Sequence, residues 1–189
     1  MKLIAALLTA VTGLIAASPG DENGITVRIC VDSNSHGLMM AGARRVAAQV
    51  MASAGVRIEW RNSARPCRDD GGITVRLSTE TASNNRPGAL AYSTPYEGNL
   101  IVLMLDRIQA AIDPAAAHIL MGHALAHEIG HVLEGINRHS ERGLMKARWD
   151  MADFADMRLG RVRFAEHDVD LIQMGLKRFS QPVVVAGLR

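Results

Sequence analysis

Two histidines and a glutamate at fixed spacing, in the segment His127-Glu128-Ile129-Gly130-His131, constrain this chain more than any other feature. Residues four apart on an α-helix lie one above the other, so both imidazoles can reach a single metal ion from one face. Glu128 follows His127 directly and projects about 100° around the helix axis, beside the open position of such a metal. The segment therefore predicts a metal site on a helix, with a carboxylate placed to act as a general base.

A third ligand is expected after this helix, because a catalytic zinc site usually has three protein ligands and one open position. Gly135 suits the left-handed residue that often ends a helix, and the chain then turns towards His139. We therefore predict that His139 completes the ligand set. The alternative third ligands are Glu141, Asp150 and Glu166.

The pattern resembles the metzincin zinc metallopeptidases, in which HExxH is followed by a glycine, a third histidine and a turn that contains methionine. Gly135 lies eight residues and His139 twelve residues after His127, where the usual metzincin spacing is seven and ten. The longer spacing is similar to the HExxHxxxGxxxH form of divergent bacterial metzincin-like proteins. The pair His139-Ser140 also looks like a His-Ser pair of the matrixins.

The resemblance implies a role for each of these residues. His127, His131 and His139 would hold Zn²⁺, and Glu128 would be the catalytic base in peptide-bond hydrolysis by a zinc-activated water. Met145 would lie in the Met-turn beneath the metal ligands. A carboxylate third ligand gives a second kind of metallopeptidase, and a secreted zinc-binding module without catalytic activity is the non-enzyme alternative.

Hydrophobic periodicity predicts an α+β order of elements around this segment. Strands are expected at 25–31, 56–60, 73–77, 89–95 and 99–105, and helices at 37–53, 115–134 and 166–176, with a turn or short helix at 106–112. This order is similar to the metzincin catalytic domain. The resemblance implies a twisted mixed sheet with an antiparallel edge strand, an active-site helix, the Met-turn and a C-terminal helix.

The resemblance also implies a substrate cleft along the edge strand. Metzincins bind extended peptides against that strand by β-augmentation, and Leu90, Ala91 and Tyr92 match it by position. Trp149 follows Met145 by four residues and stands where matrixins place an aromatic residue that lines the pocket past the scissile bond. The expected partner is therefore a peptide or protein substrate.

The chain begins with Met1-Lys2 and an apolar run over residues 3–17, which has the form of a secretory signal peptide. We expect residues 1–17 to be the signal and residues 18–189 to form a single catalytic domain, secreted or periplasmic. An uncleaved anchor is the alternative. Cys30 and Cys67 suit an oxidising compartment as one disulfide, although two buried thiols are also compatible with the sequence.

The charge pattern indicates no nucleic-acid partner. The formal net charge is only +2, and the Lys and Arg residues are scattered rather than gathered in a basic stripe with aromatic residues. After removal of the signal we expect a monomer that does not associate with membranes.

Overall fold

The computed structural model describes residues 25–32, 37–62, 72–80, 86–94 and 99–179. A single 3-10 turn, Pro114–Ala116, leads into the longest helix. None of the helices in these ranges is both long and apolar enough to cross a membrane. The strands are β1 (Ile25–Asp32), β2 (Val56–Asn62), β3 (Ile73–Ser78), β4 (Ala91–Thr94) and β5 (Leu100–Met104); the helices are α1 (Gly37–Ala52), α2 (Leu105–Ala111), α3 (Ala117–Glu134), α4 (Met151–Arg158) and α5 (Glu166–Phe179).

The five strands form one mixed sheet in the order β2-β1-β3-β5-β4. Strands β1, β2, β3 and β5 pair in parallel, whereas β4 pairs with β5 in the antiparallel direction and lies at the edge. In β1, Val27, Ile29 and Val31 are buried while Thr26 and Arg28 are exposed, so one face of this strand packs against the core. The antiparallel edge strand lies where the sequence predicts it.

Helix α3 lies at the centre of the molecule. Every residue from 120 to 134 is buried, and the helix contacts β4, β5 and all four other α-helices. Burial of polar groups costs free energy unless they find partners, so a central helix is ordinarily apolar on all sides. This helix nevertheless buries five polar or charged side chains. They are His123, His127, Glu128, His131 and Glu134.

Gly122 allows α3 to approach α1 closely. A Cβ at this position would lie 2.5 Å from the Cβ of Val46 and 2.7 Å from the backbone oxygen of Ala43. Because that oxygen belongs to helix α1, it can move only with the helix, and we expect Gly122→Ala to lower the free energy of unfolding by about 1–3 kcal/mol. Urea denaturation measures the change. Gly37→Ala is the control, since a Cβ there meets no atom within 4 Å; equal stability of the two variants would contradict this packing.

Helix α4 is absent from the sequence prediction. Its pattern of apolar residues is weak, but its start carries a reciprocal cap: the Asp150 carboxylate accepts from the backbone N–H groups of Ala152 and Asp153, and Asp153 accepts from the N–H of Asp150. Two aspartates three residues apart are thus the signal that predicts this helix. The Asp150 carboxylate therefore accepts hydrogen bonds from α4 and is not directed at the predicted metal ligands.

Several sequence predictions fall outside the described residues. The predicted signal peptide, residues 1–17, is one of them. Cys67 is another, so its disulfide with Cys30 of β1 stays a prediction.

Candidate metal centre and cleft

Three imidazoles converge at the C-terminal half of α3. His127 and His131 lie on this helix, and the chain after it returns His139 against them. Their ring nitrogens lie within 4.8 Å of one another, and the ring centroids are 4.7 to 5.4 Å apart. Among the residues that the structure describes, no other group of three His, Cys, Asp or Glu side chains converges in this way. Glu141, Asp150 and Glu166 are not members of the group.

Gly135 turns the chain out of α3 towards His139. Its backbone is left-handed, with φ 69° and ψ 22°, and its N–H donates to the carbonyl of His131. A side chain would strain this conformation, so glycine suits the position. The helix therefore ends where the sequence predicts.

Burial keeps the imidazoles neutral, which is the form that binds metals. It lowers the pKa of His127 to about 4 and that of His131 to about 3, and it also lowers the pKa of the more exposed His139. The Nδ1–H of His127 donates to the carbonyl of Leu144 over 2.9 Å, which leaves the Nε2 lone pair of this ring for a metal ion.

The donor set fits a zinc ion. Neutral imidazoles are ordinary zinc ligands, and three of them are typical of catalytic sites that keep one coordination position open. A carbonyl that holds the second nitrogen of a ligating histidine, as Leu144 does for His127, is also typical of such sites. The three histidines can thus hold Zn²⁺.

The segment that carries His139 is tied to helix α5 by Asp168. The Asp168 carboxylate is fully buried, and its Oδ1 accepts from the Arg138 guanidinium at 2.5 Å and from the Ser140 hydroxyl. Its Oδ2 accepts from the N–H of Ala165. Both neighbours of His139 are therefore anchored to the same carboxylate.

We expect Asp168→Asn to lower metal affinity about 10- to 100-fold, because the residues that orient a ligand commonly have effects of this size. An amide keeps the shape but loses the charge that pairs with Arg138. Competition with a chromophoric chelator measures the affinity, and circular dichroism checks the fold. Asp170→Asn, an exposed position on the same helix, is the control. Unchanged affinity in Asp168→Asn would show that the His139 segment is held by other contacts.

Met145 packs against α3 at Gly130. It is fully buried, and a Cβ on Gly130 would lie 2.9 Å from its sulfur, so the glycine next to His131 leaves room for the thioether. The backbone N–H of Ser140 donates to the Met145 carbonyl at 2.8 Å and closes the turn. The turn therefore places Met145 against helix α3 at the residue before His131.

Glu128 stands beside the histidines and is held by the edge strand. Its carboxylate is 7% exposed, and Oε2 accepts a 2.7 Å hydrogen bond from the Ser93 hydroxyl of β4. Burial raises the pKa of Glu128 to about 7, while the Ser93 hydrogen bond and the charge of Arg86 lower it. The sequence analysis missed the contact of Ser93 with Glu128, because this contact depends on how β4 packs against α3.

An open cleft of about 820 Å³ lies over the histidines and Glu128. The predicted substrate-binding residues Leu90, Ala91, Tyr92 and Trp149 all line it. The Trp149 ring packs edge-on against His127 with centroids 5.5 Å apart, and its Nε1–H donates to the Leu144 carbonyl. The Leu144 carbonyl thus accepts hydrogen bonds from both His127 and Trp149.

Comparison with known proteins identifies the fold but no family. No protein-family model and no curated protein matches this sequence. The structure is similar to that of archaemetzincin from Methanopyrus kandleri, with a TM-score of 0.53 and 15% identity over 85% of this chain and 100% of that chain. This likeness does not distinguish the matrixin-like form that the sequence suggests from other zincin-like folds, so the matrixin-like form stays a prediction. The protein has a zincin-like fold similar to that of archaemetzincin.

Proposed function

We propose that the protein is a zinc-dependent endopeptidase in which Glu128 is the general base. The observation that carries the proposal is the convergence of three imidazoles that share the lining of one open cleft with a buried carboxylate. A purely structural zinc site needs neither a neighbouring carboxylate that does not ligate nor access for a substrate. The fold supports the same function.

The chain's own residues supply the remaining parts of the mechanism. His127, His131 and His139 would hold the zinc ion, which would supply Lewis-acid polarisation of the substrate carbonyl and lower the pKa of the attacking water. Glu128 takes a proton as the water oxygen attacks the carbonyl carbon, and it gives that proton to the amine as the C–N bond breaks. Ser93 orients the Glu128 carboxylate through its hydroxyl.

The edge strand supports an extended peptide as substrate. In the described part of the chain, β4 pairs with β5 on one side only, so its other side can accept a peptide as an added strand. Leu90, Ala91, Tyr92 and Trp149 line the cleft, and we propose that Trp149 contacts a substrate side chain.

Export is part of the proposal. The basic start and the apolar run of residues 3–17 support a cleaved signal and a secreted or periplasmic location. A Cys30–Cys67 disulfide suits that compartment, and we propose that the mature domain acts as a monomer.

Metal content and hydrolysis of an unfolded protein such as reduced casein test the proposed function together. We expect about one zinc per chain, loss of hydrolysis after dialysis against a chelator, and recovery with added zinc. Stoichiometric zinc without hydrolysis across a broad panel of peptides would make the protein a zinc-binding module. Absence of zinc binding would contradict the proposed metal site itself.

A further inference from the structure

Basic side chains come from both main segments that line the cleft. Residues 86–93 form one segment, which begins with Arg86, and residues 146–149 form the other, which contains Lys146 and Arg148. Glu128 is the only acidic residue among those that line the cleft in the described part of the chain. Its carboxylate is hydrogen bonded to Ser93. The charged side chains of the lining other than Glu128 and the histidines are therefore basic.

Lys146 contributes little to this charge because two carboxylates neutralise it. Its Nζ lies 2.5 Å from Asp153 and 3.4 Å from Asp150, both at the start of α4. Lys146 therefore holds the wall segment to α4, and the charge available to a ligand comes from the two arginines.

Arg86 and Arg148 are exposed, and neither forms an ion pair with an acidic residue that the structure describes. The Arg86 guanidinium lies over the Tyr92 ring of β4, 4.4 Å from its centre. Stacking on an aromatic ring positions a cation without neutralising it. This contact distinguishes Arg86 from a freely solvated arginine, because it fixes a positive charge beside the edge strand. Arg148 precedes Trp149 in the second lining segment.

We propose that this cleft prefers peptides with an acidic residue close to the scissile bond, and that Arg86 and Arg148 are the specificity-determining residues. The inference rests on the proposed peptidase function. A guanidinium forms short, charge-assisted hydrogen bonds with a carboxylate and can bind both of its oxygens. A lysine at the same substrate position would be repelled. Because the arginines belong to different segments of the lining, we expect each to contact a different position of an extended peptide.

Matched fluorogenic peptides test this preference. They share one sequence except for a single position, moved along the peptide, that holds Asp, Asn or Lys. At the positions that face the arginines, we expect kcat/KM of the Asp peptide to exceed that of the Asn peptide by about tenfold, which is the size of effect that a charge-assisted hydrogen bond gives. The kcat/KM of the Lys peptide should be lower than that of the Asn peptide. High salt should reduce the difference, since these side chains are exposed.

Variants of Arg86 and Arg148 test whether these two residues produce the preference for an acidic peptide residue. Arg86→Gln and Arg148→Gln should each lower the Asp-to-Asn ratio of kcat/KM at one peptide position. Arg45→Gln is the matched control, because Arg45 is exposed on α1 and does not line the cleft, and it should keep the wild-type ratio. Fluorescence anisotropy with the metal-free protein gives a second readout, in which the Asp peptide should bind more tightly than the Asn peptide.

The outcomes separate this inference from the peptidase proposal. Equal cleavage of Asp and Asn peptides at every position would overturn the acidic preference and leave the peptidase intact. An unchanged ratio in the Arg86→Gln, Arg148→Gln double variant would overturn the assignment to these residues. If no peptide is hydrolysed, the peptidase proposal fails, and the anisotropy comparison decides the preference: tighter binding of the Asp peptide supports it, and equal binding overturns it.

Discussion

Glu128→Gln is expected to keep its zinc and to lose turnover by about 100- to 10,000-fold, the usual contribution of a positioned proton acceptor. The glutamine amide has nearly the same volume as the carboxylate and can still accept the hydrogen bond from Ser93. It cannot take a proton from water. The measurement combines kcat for casein or a fluorogenic peptide with zinc content of the same sample.

Glutamine is preferable to alanine at this position, because Glu128 is 7% exposed and a truncation there would open a cavity beside the metal ligands. Glu141→Gln is the matched control: Glu141 is exposed, lies close to His139 in sequence and is outside the histidine group. Turnover of Glu128→Gln at the wild-type rate would exclude Glu128 as the base. Loss of zinc from this variant would instead make Glu128 part of the metal site.

The centre of the site was predictable because its geometry is local. His127 and His131 belong to one turn of one helix, so their spacing alone brings the two rings together. Gly135 ends α3 through its own backbone conformation, which its residue type already favours. His139 follows four residues after that glycine, and its convergence with the helix was predicted from order and resemblance.

The contacts that hold the site were not predictable, because they join distant parts of the chain. Ser93 reaches Glu128 across 35 residues, and Asp168 reaches Ser140 across 28. No spacing of residues in the sequence predicts these contacts of Ser93 and Asp168, because the contacts depend on how β4 and α5 pack against their neighbours. Helix α4 was missed for a different reason: its periodicity is weak, and only the cap at Asp150 marks its start.

His131→Ala is expected to reduce metal affinity by more than about 100-fold, since removing a ligand should cost more than removing a residue that orients one. His131 is 3% exposed and lies in the last turn of α3, so its loss leaves one imidazole of this helix for the metal ion. Zinc content after gel filtration and competition with a chelator measure the loss. His167→Ala, at an exposed position of α5, should retain full occupancy.

The third ligand is decided by comparing His139→Ala with Glu166→Ala. We expect His139→Ala to lose zinc nearly as completely as His131→Ala, because two imidazoles alone leave the site without a third ligand. Glu166→Ala should retain zinc, since Glu166 is an exposed residue in the first turn of α5 and does not belong to the histidine group. The opposite pair of results would establish a carboxylate ligand and would require the His139 segment and α5 to rearrange when metal binds. Zinc retained in both variants would mean that His127 and His131 bind with a ligand outside both segments.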